Sequence, residues 1–437
     1  MNFNIGDKLW DRAIKRIPGG NMLLSKNKNL FSPDYWPSYY SKAKGAYVWD
    51  MDGNRYLDFS SNGVGACSLG HANENIDASV IKAIKKGVMS TLNCPNEVFL
   101  AEYLISLHPW AQMARFARSG GEANAIAIRI ARCFTNRQKI AICGYHGWHD
   151  WYLAANLSSK DNLKDHLLEG LGSRGVPNSL VDTVIPLRYN NFDDLKQLKD
   201  NKDIAAVKME IVRSTIPLKG YLEEIKDICE EKKILLIFDE CTSGFREYFG
   251  GIHLKYNIHP DMCMLGKALG NGYAISAVLG KENIMQSSCE TFISSTFWTE
   301  AVGPSAALAT LEEMKVNESW KKLPKLGQKV KNIWIAKAKK YNIPITISGI
   351  DALPTFKFNT YEATGFKTIF TQKMLEEGFL ASTLFYPTTA HEQNHINQYS
   401  DGLDRVFKNI SEIFAKNISP STICKGNYCK SSFKRLN

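Results

Sequence analysis

Five short stretches of this 437-residue chain hold residue types that could do chemistry. Lys267 stands in Gly266-Lys267-Ala268-Leu269-Gly270-Asn271-Gly272, directly after an apolar run. A surface lysine does not need that much backbone freedom around it. An amine held there is poorly placed for solvation, so it can be partly desolvated and nucleophilic, as Schiff-base formation requires. The plainer alternative is a phosphate-binding or surface lysine, one among 54 basic residues. Asp239 follows the continuous apolar run Ile234-Leu235-Leu236-Ile237-Phe238. A carboxylate in that position is desolvated unless it meets a cation or a donor. Two readings are even: an N-cap for the segment beginning Thr242-Ser243-Gly244, or a partner for a protonated heterocyclic nitrogen. Ser119-Gly120-Gly121 opens a helix, so free backbone N–H groups and the positive helix end can cradle a phosphate. The glycine pair also suits an ordinary turn. Tyr145-His146 follows the apolar run Lys139–Cys143, and Glu210 follows Ile204–Met209. The set comprises an anion cradle, an aromatic face, a buried carboxylate and a lysine.

These residues need a scaffold that brings strand ends together. Between about 70 and 315, short buried runs alternate with helical patterns such as Glu122–Phe134 and Tyr221–Lys232, which predicts a doubly wound α/β sheet. Ligands of such sheets bind beyond the carboxyl ends of the strands, where all five stretches fall. Residues 45–59 predict a hairpin around Asp52-Gly53-Asn54. Beyond about 320, Lys/Leu-rich helices and the runs Pro344–Ser348 and Pro354–Phe358 predict a smaller α+β lobe. The expected domains are 1–65 as the N-terminal part of the small domain, 66–318 as the large domain, 319–420 as the rest of the small domain, and 421–437 as a basic tail.

Composition excludes several classes. With 44% hydrophobic and 22% charged residues the chain is not a disordered one. The net charge is +10, but no acid follows Glu412, while Lys416, Lys425, Lys430, Lys434 and Arg435 do. Half of the balance therefore sits in the tail and the rest reads as solvated surface, with no nucleic acid implied. No apolar run is long enough to span a membrane, and Met1 to Trp10 lack a signal pattern, so a cytoplasmic protein with reduced cysteines is expected. Cys424 and Cys429 lack the partners of a zinc site, and no metal is expected.

The joint order of these motifs resembles the pyridoxal 5′-phosphate (PLP) aminotransferases of the aspartate-aminotransferase fold. More closely, the chain is similar to the class III members related to glutamate-1-semialdehyde 2,1-aminomutase. The match includes Pro18-Gly19-Gly20, the hairpin Trp49 to Asp58, Arg118-Ser119-Gly120-Gly121-Glu122-Ala123, Tyr145-His146-Gly147, Phe238-Asp239-Glu240 with Gly244-Phe245-Arg246, and Leu265-Gly266-Lys267 through Gly272. The resemblance implies fold type I: a large domain with a mostly parallel seven-stranded sheet, plus a smaller α+β domain. It implies that Lys267 holds the cofactor as a Schiff base and shuttles a proton, and that Asp239 pairs with the ring N–H. By the same resemblance Ser119, Gly120 and Gly121 hold the phosphate, Tyr145 and Cys241 flank the ring, and Glu210 and His146 lie close by. A satisfied structural histidine is the plainer reading for His146 and His149. Thr296 would reach the phosphate of a neighbouring subunit, giving a homodimer with shared active sites.

Three departures fall where substrate is read. Lys26 stands where the aminomutase has an arginine, and a lysine cannot make the bidentate carboxylate clamp. Ser382 to Pro387, with Tyr386, lacks the aminomutase's acid. Phe297-Trp298-Thr299-Glu300 is bulkier than the family's version. Lys26, Trp298 and Tyr386 are therefore candidate substrate residues. The expectation is a transaminase with an amino acid donor, glutamate above others, and an aldehyde or ketone acceptor. Trp148, Trp151, Phe297 and Trp298 suggest a sugar-like one. The alternative is the aminomutase, an isomerase.

Overall fold

The fold was analysed in a computed structural model, which describes residues 3–164, 166, 170–212 and 214–431. In chain order, the N-terminal stretch forms β1 (Tyr40–Lys44), β2 (Tyr47–Asp50) and β3 (Arg55–Phe59). The middle of the chain supplies β4 (Met113–Ala117), β5 (Lys139–Cys143), β6 (Val184–Pro186) and β7 (Ile204–Met209). It continues with β8 (Leu235–Glu240), β9 (Met262–Leu265) and β10 (Ser276–Gly280). The C-terminal part adds β11 (Ile345–Ser348), β12 (Thr355–Phe358) and β13 (Phe379–Ala381). The chain divides into two compact units, one of Met1–Asn73 with Lys321–Asn437, the other of Glu74–Trp320.

In the first unit, β1, β2 and β3 run antiparallel, and β13 joins β3 in parallel with Phe379 opposite Leu57. Asp50 closes the predicted hairpin turn. Its carboxylate accepts the N–H groups of Asp52 and Asn54 at 3.0 and 2.9 Å and the Tyr56 hydroxyl at 3.0 Å. Phe59 anchors the core of this unit, stacked on Tyr399 at 4.3 Å and on Phe385 at 5.0 Å. The described part of the basic tail packs within this same unit. Cys429 N donates to Thr368 Oγ1 at 2.9 Å and Asn427 N to Asp34 Oδ2 at 2.8 Å.

The second unit is built on a seven-stranded sheet of order β4-β10-β9-β8-β7-β5-β6. All neighbours are parallel except where β10 enters, antiparallel to both β4 and β9. Every residue of β7, β8 and β9 is buried, as strands covered on both faces require. That includes Lys208, in the middle of β7.

The strand β8 is longer than its apolar run suggests. It continues through Asp239 and Glu240, which pair with Met264 and Leu265 of β9. The two carboxylates then point to opposite faces of the sheet, as successive strand residues must. Glu240 is tolerated there because it is saturated with donors. It accepts Ser243 Oγ at 2.7 Å, Ile252 N at 2.9 Å, His253 N at 2.8 Å and His253 Nδ1 at 2.7 Å. Asp239 therefore caps no helix, since the next one begins at Ile252, after Gly251. Of its two readings, the N-cap falls away.

Candidate active site

The helix Gly120–Thr135 supplies the first wall of the site. Ser119, in extended conformation, is its N-cap, and Ser119 and Glu122 form a reciprocal capping box. Glu122 Oε2 accepts the N–H groups of Arg118 and Ser119 at 3.0 and 2.8 Å. Ser119 Oγ is thus engaged with Glu122, and the N–H groups of the first helical residues, Gly120 and Gly121, face the space ahead of the helix with its positive end.

Cys241 joins this wall to the lysine. A Cβ built on Gly120 would lie 3.2 Å from Cys241 Sγ, and one on Gly266 would lie 3.4 Å from the same sulfur. Ser276 Oγ on β10 donates to Ser119 O at 2.9 Å, closing the same corner. Burial and the neighbouring Asp239 carboxylate push the Cys241 thiol well up, so it packs as a neutral group.

Lys267 itself takes φ +45°, the left-handed region, at the start of a single 3-10 turn, Lys267–Gly270. A side-chain-bearing residue spends about 1–2 kcal/mol there, so the surrounding fold imposes this backbone. The sequence suggests that the flanking glycines absorb the bend, yet the strain falls on the lysine. Its Nζ donates to Thr242 Oγ1 at 2.6 Å.

Asp239 lies at the floor, 3% exposed. Its Oδ2 is 2.9 Å from His146 Nδ1 and 3.7 Å from Lys208 Nζ, and its Oδ1 accepts Cys241 N at 3.1 Å. Burial alone would raise its pKa. The Lys208 charge, the His146 hydrogen bond and the Cys241 N–H together hold it well below the usual carboxylate range. Burial pushes His146 down, which favours a neutral ring donating Nδ1–H to Asp239. His146 is thus buried and satisfied at Nδ1 by the Asp239 carboxylate.

Tyr145 is carried on a loop that Glu210 holds in place. Glu210 Oε2 accepts Tyr145 N at 3.0 Å, and Glu210 N donates to Cys143 O at 2.9 Å. Gly144, at φ +115°, allows that approach, since a Cβ there would meet the same carboxylate oxygen at 2.9 Å.

The remaining predicted residues are distributed differently. Thr296 is exposed at the start of a 3-10 turn, Thr296–Thr299. Arg118 pins that turn through Nη2, which donates to Trp298 O and Glu300 O at 3.0 Å each, and through Nε, 2.9 Å from Glu300 Oε1. Trp298 spends its indole N–H on Glu122 Oε1 at 3.1 Å. With Trp148 and Trp151 it lines a cavity of about 710 Å³ along the outer face of the helix Gly120–Thr135, which Arg129 and Arg132 also line. Lys267, Asp239 and Phe297 do not line that cavity. Lys26 and Tyr386 belong to the other unit, Lys26 exposed on the turn Leu24–Lys26 and Tyr386 bonded through its N–H to Ser60 O at 2.8 Å.

Two members of the cluster, Lys208 and Thr242, escaped the reading of the sequence. The signal for Lys208 was present, a lone cation inside Ile204-Ala205-Ala206-Val207-Lys208-Met209. Thr242 is one of many hydroxyls, and nothing local marks it.

The donor set fits a phosphate-bearing pyridine aldehyde. An amine, an ionised buried carboxylate and a glycine-lined helix N-terminus all meet around Cys241. Gly121 provides a test of the cradle, because a Cβ there would approach His149 Cε1 to 2.8 Å. Gly121→Ala is expected to weaken cofactor binding about tenfold, which corresponds to about 1.4 kcal/mol of crowding, with little change in Tm. Titrating the apoprotein with PLP by fluorescence measures it, and unchanged affinity would remove Gly121 from the cradle.

Comparison with known proteins identifies the family. Residues 31–407 match the family model "Aminotransferase class-III". The 3-aminobutyryl-CoA aminotransferase of Cloacimonas acidaminovorans (strain Evry) is 33% identical over 378 residues, covering 83% of this chain and 86% of that protein. The glutamate-1-semialdehyde 2,1-aminomutase of Methanosphaera stadtmanae is 32% identical over 429 residues, covering 92% and 98%. Among solved structures, the PLP internal aldimine form of the FumI protein of Sphingopyxis sp. MTA144 superposes with a TM-score of 0.85 at 24% identity, over 96% of this chain and 99% of that one. With its family model spanning most of its length and its relatives about a third identical over nearly their whole length, the chain belongs to the class-III aminotransferases, PLP-dependent enzymes of fold type I.

Proposed function

We propose that this enzyme moves an amino group from an amino acid, glutamate above others, to an aldehyde or ketone acceptor in two half-reactions. The observation that carries the reading is the meeting of Gly120, Gly266 and Cys241 beside Asp239, which brings cradle, lysine and carboxylate to one place. When bound, the cofactor supplies a ring that draws electrons from the substrate's Cα. Lys267 Nζ would hold the cofactor through its aldehyde and would then carry the proton to and from that carbon. Thr242 Oγ1 accepts from the amine and so aims it. Asp239 would pair with the ring nitrogen, its carboxylate oriented by His146. Gly120 and Gly121 would hold the phosphate through their N–H groups, Tyr145 and Cys241 would flank the ring, and Glu210 fixes the Tyr145 loop.

The enzyme works as a homodimer with shared sites. Thr296 is exposed on its turn, as a residue serving a neighbouring subunit must be, and Phe292 and Phe297 beside it are 82% and 66% exposed. A cytoplasmic setting accords with ten cysteines that are all unpaired, and no helix among the described residues is long and apolar enough to cross a membrane. Lys26, Trp298 and Tyr386 are the candidate substrate residues, and the aromatic residues around Trp298 favour a sugar-like acceptor.

The test is a donor and acceptor screen on the holoenzyme. Glutamate alone is expected to discharge the visible absorption band of the cofactor, and a suitable carbonyl compound to restore it. The Methanosphaera relative keeps the aminomutase reading in play. Incubation with glutamate-1-semialdehyde and no amino donor separates the two, and rapid formation of 5-aminolevulinate would overturn the transaminase reading.

A further inference from the structure

Lys208 has no part in the chemistry above, yet it is fully buried in β7. A buried ammonium is costly unless something balances it. Burial pulls its pKa below the ordinary lysine range, and the charged and titratable groups that oppose this are Asp239 on β8, Cys241 just beyond, Cys263 on β9, and Glu210 just after β7. His146, from the loop after β5, faces the same carboxylate. Among these, Asp239 Oδ2 lies within ion-pair distance at 3.7 Å, and Met264 Sδ, also at 3.7 Å, is its other polar neighbour. A thioether cannot carry away a charge. The buried carboxylate thus has two partners of different kind: a neutral imidazole that orients it and a cation that offsets it.

We infer that Lys208 is the resident countercation of Asp239, balancing the carboxylate in the apoprotein and then sharing it with the ring nitrogen of the bound cofactor. Lys208 is a positioning residue that sets how strongly the ring holds its proton. The inference rests on the pairing of Asp239 with the ring nitrogen proposed above. A second cation on the same carboxylate weakens the ring's hold on its proton, and removing it strengthens that hold. A unit charge several ångströms away in a partly screened interior moves such a titration by about one pH unit.

Two measurements test this, one of them without the cofactor. In the apoprotein, thermal unfolding of Lys208→Met, Asp239→Asn and the double variant forms a double-mutant cycle. Each single change is expected to lower Tm by several degrees, and the double by clearly less than the sum. In the holoenzyme loaded with 15N-labelled PLP, the ring-nitrogen 15N shift is followed against pH. Lys208→Met is expected to keep the ring protonated to a pH about one unit higher than in the wild type. A merely structural Lys208 would change Tm and leave that titration where it was, and this outcome overturns the inference. A wild-type ring nitrogen that carries no proton across the whole range would instead sink the assignment of Asp239, while coupling in the apoprotein still reports the pair. Should Lys208→Met fail to fold, recovery of the fold in the double variant supports the pairing, and failure of both overturns it.

Discussion

Lys267→Ala is expected to lower transamination by about 10⁴-fold or more while the protein stays folded. In the proposed role the side chain would serve both as covalent attachment and as the group that moves the proton, and proton transfer by a positioned group alone contributes up to about 10⁴-fold. The two roles share one amine, so their losses do not add. The fold gains and loses little. Alanine at φ +45° carries strain like that of the lysine, and the 2.6 Å hydrogen bond to Thr242 that is forfeited is worth about 1 kcal/mol. Tm should move by only a few degrees. The check is turnover with glutamate beside borohydride reduction and peptide mapping, where the label should appear at Lys267 in the wild type and disappear in the variant. Near-native turnover in the variant would refute the assigned role.

The second large effect belongs to Asp239, where activity and stability should fall together. Asp239→Asn removes the charge opposite the ring nitrogen, and loss of one such electrostatic contact at a reacting group costs about 10²–10³-fold in kcat. It also leaves Lys208 without its counter-ion in a fully buried position. Removing one partner of a buried pair costs about 3–5 kcal/mol, enough to lower Tm visibly. The pH dependence has a definite sign. The folded pKa of Asp239 is depressed, so its stabilisation is fully present above the unfolded value of about 3.9 and is lost as pH falls towards the folded one. The gap in Tm between wild type and Asp239→Asn should therefore be constant near neutrality and shrink in acid below about pH 4. A gap that does not change with pH would mean that Asp239 is not held ionised by its neighbours.

These two residues were legible because their signals are local. Lys267 announces itself by the glycines around it, and Asp239 by the apolar strand before it. The same is true of β5, β7 and the helix Tyr221–Lys232, whose observed limits match those read from apolar runs and helical periodicity. Strand burial and helix stripes repeat at 2 and 3.6 residues, so a window of ten residues already contains them. The contacts that fix their surroundings were not legible. The Glu210 carboxylate holds Tyr145 from 65 positions away, and the Trp298 indole reaches Glu122 across 176. No local pattern encodes a partner at such separation.

By itself, then, the amino-acid sequence determined the alternation of strands and helices and marked Ser119-Gly120-Gly121, Lys267 and Asp239 as candidates for an anion cradle, an amine and a buried carboxylate, because each of those signals lies within one turn or one strand. Only the tertiary structure decided that β8 carries Asp239 inside the sheet, that Lys267 bears the backbone strain, and that Lys208 faces the carboxylate. Those outcomes depend on which strand lies beside which and on how a buried charge finds its counter-charge, and both are properties of the assembled sheet.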